Sequence, residues 1–176
     1  MAYTKSAFNL KGWIEEHRGQ LKPPVGNQCM FAEKDFIIMI VGGPNARKDF
    51  HINETEEFFF QIEGDITLRI REDGKVCDIP IREGEVFMLP PMVPHSPQRP
   101  ANTIGMVVER IREPGMKDYL RFWCENCDEV LKNYEFDLKD IVNQLKEIMA
   151  EFWGDEAVRT CGKCGTVMQK PDPLPA

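Results

Sequence analysis

The feature that most constrains the fold of this chain is a succession of short strand-like segments separated by turn residues. The segments span residues 28–33, 36–41, 57–63, 65–71, 76–81, 86–89, 94–98 and 103–111. Gly64-Asp65, Asp73-Gly74 and Glu83-Gly84 are the clearest turns between them. The segment ITLRIR, residues 66–71, alternates apolar and polar side chains as a half-exposed strand does. Many short strands at even spacing predict an all-β sandwich or barrel.

Helical spacing occurs near the two ends of the chain. Residues 8–18 predict a short amphipathic helix. Residues 138–153 place apolar side chains at three- and four-residue intervals, with Asp137 as the predicted N-cap and Gly154 as the predicted end. The strands are therefore expected to lie between a short N-terminal helix and a longer C-terminal one.

The pattern changes after Pro114-Gly115, where two more strands are predicted over residues 119–124 and 129–136. We therefore predict a barrel with its N-terminal helix over residues 1–116. The C-terminal strands and helix over residues 117–176 are predicted to pack on that barrel.

Charge and hydropathy exclude some classes of function. The 176 residues include 22 basic and 29 acidic side chains, a net charge of −7, which argues against a nucleic-acid surface. No stretch approaches the roughly 20 apolar residues of a membrane helix. The first residues lack the apolar core of a signal peptide. We expect a cytoplasmic protein that binds neither nucleic acid nor membrane.

Four of the six cysteines form two C-x-x-C pairs, CENC and CGKC. They are Cys124, Cys127, Cys161 and Cys164. Two such pairs predict a closed tetrahedral metal site of four thiolates, with either iron or zinc as the ion. Such a site has no open position for chemistry, so we expect it to attach the C-terminal helix to the barrel. A thioredoxin-like redox pair is disfavoured because no βαβ pattern surrounds either motif.

The other two cysteines, Cys29 and Cys77, lie within apolar strand-like runs. Small thiols in such runs are usually inert and buried. We predict that both are core residues.

Three side chains of the kind that bind metals stand out among the polar residues. His51 and Glu57 flank a short polar turn, which predicts a hairpin that brings both to one ion. His95 follows a strand that ends in a Pro-rich turn. Two histidines and one carboxylate form the ligand set of non-haem Fe(II) oxygenases.

Charged residues near this triad indicate the kind of ligand. Arg47 precedes His51 by four residues, and Arg99 follows His95 by four. Glu109 lies in a predicted strand, on the face that we expect to point inward. Singly, each would be interpreted as a surface ion pair. Together with the triad they predict a pocket for an anionic substrate with polar substituents.

The two stretches that carry the triad resemble the two cupin motifs. The matching residues are His51, Glu57, Gly64, Gly84, Pro90 and His95. The chain departs from the motifs at Asn53, where a second histidine is usual, at Met92 for Gly, and at Arg99 for Asn. The resemblance implies a mainly β cupin barrel, a double-stranded β-helix or jelly roll. Asn53 reduces the usual four protein ligands to three, which leaves more positions open on the metal.

Over nearly the whole chain, the sequence resembles the 3-hydroxyanthranilate 3,4-dioxygenase family in its short, microbial form. The shared stretches are LKPPVGNQ, IVGGPNARKDFHINETEEFFFQ, EGEVFMLPPMVPHSPQRP, GMVVERIREPGMKD and both cysteine pairs. The resemblance implies Fe(II)-dependent ring cleavage of 3-hydroxyanthranilate by O2 to 2-amino-3-carboxymuconate semialdehyde. That product leads to quinolinate and NAD. A homodimer and a rubredoxin-type iron knuckle at the cysteines are also implied.

The family also implies a role for each site residue. Catalytic Fe(II) is held by His51, Glu57 and His95. The implied substrate-binding residues are Asn27, Arg47, Glu57, Arg99 and Glu109. Arg99, helped by Arg47, holds the substrate carboxylate, and Arg47 also borders bound O2. Glu109 hydrogen-bonds the ring substituents and assists proton removal.

Other functions remain open at this point. A cupin that binds a small carboxylate as a sensor or store would keep the fold and the metal. A cupin isomerase is a second possibility. A thiol dioxygenase is disfavoured, because cupins of that class usually use three histidines and Glu57 stands in place of one.

Overall fold

The structure of the chain, a computed structural model, is built mainly from β-strands and describes residues 7, 9–22, 26–32, 35–172 and 174. Within these residues the helices are α1 (Leu10–His17), α2 (Gln144–Gly154) and α3 (Glu156–Arg159). The strands are β1 (Asn27–Ala32), β2 (Phe36–Gly42), β3 (Asp49–Ile52), β4 (Glu57–Glu63), β5 (Ile66–Glu72), β6 (Lys75–Ile81), β7 (Val86–Leu89), β8 (His95–Gln98), β9 (Ile104–Arg110), β10 (Asp118–Trp123) and β11 (Val130–Phe136). The predicted mainly β fold with helices near both ends is confirmed.

The consecutive strands β2 to β9 form a jelly roll of two antiparallel sheets. One sheet has the order β2-β9-β4-β7, with β1 added beside β2. The other has the order β3-β8-β5-β6. Most neighbours within a sheet are therefore distant in sequence, as in the paired Greek keys of cupins. The strand order confirms the predicted barrel.

Strand β3 was not predicted from the sequence. It is four residues long, and polar residues occupy alternate positions in it although all four are buried. The predicted hairpin between His51 and Glu57 is wrong, because β3 and β4 lie in different sheets. Residues 53–56 cross from one sheet to the other, and this crossing brings the two side chains together inside the barrel.

The second sheet continues beyond the jelly roll through β10 and β11. Strand β10 pairs with the free edge of β3, with Leu120 opposite His51, and β11 pairs with β10. The two strands predicted over residues 119–124 and 129–136 are confirmed. The C-terminal segment thus shares a sheet with the barrel, while the division at residue 116 stays a prediction.

Apolar side chains from both sheets fill the barrel. Phe59, Leu68, Leu89 and Val107 belong to this cluster, which Ile141 from the segment before α2 completes. Burial of such side chains is the main stabilising contribution to a fold of this kind. The C-terminal segment is therefore part of the barrel core.

Helix α2 begins later than the apolar spacing predicted. The Asp140 side chain accepts hydrogen bonds from the backbone N–H groups of Val142 (2.9 Å) and Asn143 (3.1 Å). This turn competes with the helix, so α2 begins at Gln144 and Asn143 is its N-cap. The prediction of Asp137 as the N-cap is wrong.

Helix α1 covers a second, smaller apolar cluster. It begins after Asn9, whose side chain accepts a hydrogen bond from the Gly12 N–H (3.0 Å). Its residue Ile14 is buried with Ile40 of β2. Phe8, within the predicted helix, lies outside the described residues. Among the helices described, none is long and apolar enough to span a membrane.

The prediction that Cys29 and Cys77 are core residues is wrong, because both are exposed. They lie on β1 and β6, which are edge strands of their sheets. Strand β6 is exposed along most of its length. An apolar run in an edge strand therefore does not show that its thiol is buried.

A third cluster fixes α2 against the added strands. The rings of Phe122 on β10 and Phe152 on α2 are both fully buried and stacked, with centroids 3.5 Å apart and planes 11° apart. Leu120 and Met168 complete the buried part of the cluster. The stack joins α2 and the residues after it to the six-stranded sheet.

We predict that Phe152→Ala lowers the free energy of unfolding by about 3–5 kcal/mol, because it removes a buried ring and leaves a cavity. Urea unfolding measures the change. Val130→Ala, at a side chain that is 44% exposed, is the control and should cost far less. Equal small losses in the two variants would show that the stack does not stabilise the fold.

Candidate active site

The three predicted ligand residues meet inside the barrel. His51 on β3 lies opposite His95, the first residue of β8, in the antiparallel register. Glu57, the first residue of β4, comes from the facing sheet. One ligand-type atom from each residue lies within 4.8 Å of the others, and all three residues are buried. The Glu57 Oε1 atom is 3.5 Å from His51 Nδ1 and 3.2 Å from His95 Nε2.

In each imidazole, one nitrogen lies near Glu57 and the other forms a hydrogen bond elsewhere in the protein. His51 Nε2 donates to the Asp118 carboxylate (2.6 Å), and His95 Nδ1 donates to the Val93 carbonyl (3.0 Å). Contacts of this kind fix ring orientation and tautomer in metal sites. Burial lowers the pKa of His51, but hydrogen bonds with Asp118 and Glu57 outweigh it and raise the pKa to about 9.

Glu57 is the negative centre of the cluster. Burial alone would raise its pKa, yet the charge of His95 and hydrogen bonds from both imidazoles hold the pKa of Glu57 well below its usual range. The side chain of Asn53 donates to the same Oε1 atom (2.9 Å). Asn53 is fully buried, and its Oδ1 atom has no hydrogen-bond partner in the described part of the chain. At the position of the missing cupin histidine, Asn53 therefore orients Glu57.

A cavity of about 800 Å³ opens onto this cluster. The structure brings every predicted residue of the barrel site to its wall: Asn27, Arg47, His51, Glu57, His95, Arg99 and Glu109. Asn27, the first residue of β1, pairs with Val41 of β2 and so lies at the rim formed by these strands. The predicted residues thus share one chamber, although their roles there stay predictions.

Arg99 is a buried cation without a carboxylate partner. It is 1% exposed, and among the described residues no acidic side chain forms an ion pair with it. Its Nη1 group donates to the amide oxygen of Gln61 (3.3 Å). Burial, and then the charge of Arg47, lower the pKa of Arg99 to about 10. The guanidinium therefore faces the chamber with its charge unbalanced.

Arg47 is in a different electrostatic state. Its guanidinium forms an ion pair with Asp49 through Nε (3.1 Å) and Nη2. The backbone beside it is held by Gln98, whose amide accepts from the Arg47 N–H (3.2 Å) and donates to the Arg47 carbonyl (2.9 Å). Arg47 is thus fixed in place and already neutralised.

Glu109 lies on β9 directly opposite Glu57 in the β4–β9 register. Burial, and then the charge of Glu57, raise the pKa of Glu109 to about 7. Its Oε2 atom accepts a hydrogen bond from Arg112 Nη2 (2.8 Å). The site therefore holds two neighbouring carboxylates with different proton affinities.

Sequence reasoning missed part of the site. Arg112 and Asp118 were not predicted, although both lie within the stretch GMVVERIREPGMKD that supported the family resemblance. Helix α2 was expected to pack on the barrel, but its contribution to the chamber was not foreseen. Its side of the chamber is lined by Leu145, Lys146, Met149 and Trp153.

The four cysteines of the C-x-x-C pairs also come together, in a separate cluster. Their sulfur atoms lie within 4.8 Å of one another, and the Sγ–Sγ distance is 3.5 Å in both the Cys124–Cys164 and Cys127–Cys161 contacts. The first cysteine of each pair donates its N–H to a carbonyl five residues ahead, Glu129 or Thr166 (2.8 Å each). The two loops thus share one backbone geometry, and the cluster is a possible metal site.

Comparison with known proteins identifies close relatives. A 3-hydroxyanthranilate 3,4-dioxygenase of Xanthomonas oryzae pv. oryzae is 51% identical over 165 residues, covering 94% of this chain and 93% of the relative. The enzyme of the same name from a Jannaschia species is 45% identical over 169 residues, covering 96% and 94%.

More distant likenesses occur among solved structures. A cupin-2 domain protein from Shewanella frigidimarina is 20% identical with a TM-score of 0.42, covering 48% of this chain and 78% of the other. An RmlC-like cupin from Methanocaldococcus jannaschii is 17% identical with a TM-score of 0.40, covering 48% of this chain and 77% of the other.

The family model for 3-hydroxyanthranilic acid dioxygenase matches residues 2–153. Because that match spans most of the chain and the relatives align over nearly their full length, this chain belongs to the 3-hydroxyanthranilic acid dioxygenase family.

Proposed function

We propose that this chain is an Fe(II)-dependent dioxygenase that cleaves the ring of 3-hydroxyanthranilate with O2. The product is 2-amino-3-carboxymuconate semialdehyde, which cyclises to quinolinate, a precursor of NAD. Family membership and the names of the relatives support this reaction. Within the chain, the observation that best supports the substrate class is that Arg99 is buried and has no ion-pair partner among the described residues.

Arg99 binds the substrate carboxylate. A buried charge without a partner is costly, and a ligand anion removes that cost. The planar guanidinium suits a carboxylate, which it can bind through two parallel hydrogen bonds. Arg47 contributes less to this contact because Asp49 already balances its charge. We assign Arg47 to the border of the O2 position.

His51, Glu57 and His95 hold the iron. Two imidazoles and a carboxylate are the donor set of non-haem Fe(II) oxygenases. Each imidazole has one nitrogen fixed by the protein and the other directed at Glu57, which fits a shared ion. When bound, Fe(II) supplies the redox chemistry between the ring and O2.

The remaining residues orient the substrate and handle its proton. Glu109 hydrogen-bonds the ring hydroxyl and amino groups and accepts the hydroxyl proton, since the β4–β9 register sets it beside the triad. Asn27 contacts the substrate from the rim. Met149 and Trp153 on α2 offer an apolar wall to the ring. Holding the reacting groups in one geometry lowers the entropic part of the barrier.

We propose that the four-cysteine cluster holds a structural Fe or Zn ion. Four thiolates leave no open coordination position. The cluster joins the loop after β10 to the loop after α3. The ion therefore fixes the C-terminal segment, including the α2 wall of the chamber.

A carboxylate-binding cupin without activity is the main alternative, because Arg99 would serve it equally well. Such a protein would bind 3-hydroxyanthranilate and consume no O2. The homodimer, the cytoplasmic location and the absence of nucleic-acid or membrane partners rest on the resemblance and the sequence, and they stay predictions.

We predict that protein loaded with Fe(II) without oxygen, then mixed with 3-hydroxyanthranilate and O2, consumes one O2 per substrate. An oxygen electrode and the absorbance of the ring-opened product measure the reaction. Anthranilate is the control ligand, because it keeps the carboxylate and the amine but lacks the hydroxyl, and it should not be cleaved. Tight binding of 3-hydroxyanthranilate without O2 consumption would favour the carboxylate-binding alternative.

We predict that His51→Ala loses the metal ion of the His–Glu–His site, one per chain, while the cysteine cluster keeps its metal ion. Cys124→Ser should lose the metal ion of the cysteine cluster and keep the other. Its stability should be lower, but the protein that stays folded should retain turnover. Metal content per chain, measured by mass spectrometry after desalting, reports both. An unchanged metal content in His51→Ala would contradict the ligand assignment.

We predict that Gly105→Ala lowers kcat/KM by roughly ten- to a hundredfold while the protein stays folded. A methyl group there would lie 2.9 Å from Arg99 Nη1 and 2.7 Å from Gln61 Oε1. Both atoms are side-chain ends, whereas the nearest backbone atom, the Phe60 carbonyl oxygen, would be 3.4 Å away. We therefore expect the guanidinium to take most of the displacement. Gly19→Ala is the control, since nothing lies within 4 Å of its added carbon. Equal kinetics in the two variants would argue against Arg99 as the carboxylate site.

A further inference from the structure

Two buried side chains outside the predicted site, Arg112 and Asp118, form a continuous connection between His51 and Glu109. Asp118 is fully buried, and the Arg112 side chain is 4% exposed. Arg112 donates to both carboxylate oxygens of Asp118, through Nε (2.7 Å) and Nη2 (2.7 Å). The same Nη2 group donates to Glu109 Oε2 (2.8 Å). One guanidinium therefore bridges two carboxylates.

Asp118 acts on His51 from outside the chamber. It is the first residue of β10, and β10 pairs with β3. Its Oδ2 atom accepts from His51 Nε2 at 2.6 Å, which leaves Nδ1 directed at Glu57. A carboxylate behind a ligating imidazole fixes the ring and increases its basicity. Asp118 is thus placed to fix the donor nitrogen.

Arg112 holds the Glu109 carboxylate through a hydrogen bond from its guanidinium. Glu57 and Glu109 are direct neighbours across the β4–β9 register and are both buried. Two such carboxylates repel each other, and a cation beside one of them offsets part of that repulsion. Arg112 supplies this cation, and its Nη1 group is anchored on the Arg110 carbonyl (2.7 Å). The Glu109 carboxylate is held at the wall of the chamber as a result.

We propose that Asp118 and Arg112 are positioning residues that set the His51 donor and the Glu109 carboxylate as one unit. This inference rests on the proposed function, in which His51 binds the metal and Glu109 contacts the substrate. It goes further in assigning part of the site to the β9–β10 connection, which holds Arg112, and to Asp118 at the start of β10. Lysine cannot replace Arg112, since a single ammonium does not span two carboxylates in a fixed fork.

The test uses Co(II) as the probe in protein from which metal has been removed. Equilibrium dialysis gives total binding, and the absorption of thiolate-bound Co(II) reports the cysteine cluster separately. We expect Asp118→Asn to weaken Co(II) binding at the His51 site by about 10- to 100-fold, with the cysteine cluster unchanged. Arg112→Lys should weaken Co(II) binding at the His51 site less than Asp118→Asn does. It should also lower kcat, because Glu109 loses its hydrogen bond from the guanidinium.

The matched controls are Asp78→Asn and Arg69→Lys. This second Arg–Asp pair, with Arg69 Nε 2.8 Å from Asp78 Oδ1, lies on the outer part of the barrel and is about half exposed. Neither control should alter Co(II) binding or turnover.

Co(II) affinity within twofold of wild type in both folded variants would overturn the proposal. If neither variant folds while the controls do, the pair stabilises the fold and not the site, and the proposal fails as well. Co(II) binding involves no substrate, so this outcome is separable from failure of the proposed function. A wild-type protein that cleaves 3-hydroxyanthranilate, with normal Co(II) binding in both Asp118→Asn and Arg112→Lys, would refute only the inference about Asp118 and Arg112.

Discussion

The pairing of β3 with β8 on one side and β10 on the other is the constraint on which the site depends. The β3–β8 register sets His51 opposite His95, so the two imidazoles approach each other without any long loop. The β3–β10 pairing brings Asp118 to the outer nitrogen of His51. The crossing from β3 to β4 then delivers Glu57 from the facing sheet. The three side chains are thus held by strands, whose positions hydrogen bonding fixes.

The charged side chains of the chamber differ in whether another side chain of the protein neutralises them. Asp49 neutralises Arg47, and Arg112 pairs with both Asp118 and Glu109. Arg99, which is 1% exposed, has no ion-pair partner among the described residues. An anionic ligand is therefore expected at Arg99, and the neutral donor groups of the ligand are expected nearer the His–Glu–His cluster. The proposed orientation of the substrate rests on this asymmetry.

The sequence predicted the elements with strong local patterns. Alternation identified β5, and the two C-x-x-C pairs identified the cysteine cluster. It could not predict β3, which is too short to show a pattern, or the helix start, where the Asp140 side chain forms a competing turn. The structure brings the predicted site residues to one chamber. Asp118 was not predicted, although it ends one of the family stretches, because its contact with His51 spans 67 residues and depends on sheet order. Local patterns carry no information about such long-range pairing.

An anaerobic crystal structure of the Fe(II)-loaded protein with 3-hydroxyanthranilate would reveal the binding mode of the substrate. We predict that the substrate carboxylate pairs with Arg99 while the ring hydroxyl lies between the metal and Glu109. A carboxylate bound to the metal itself, or a ring that lies away from His51 and His95, would refute the proposed binding mode.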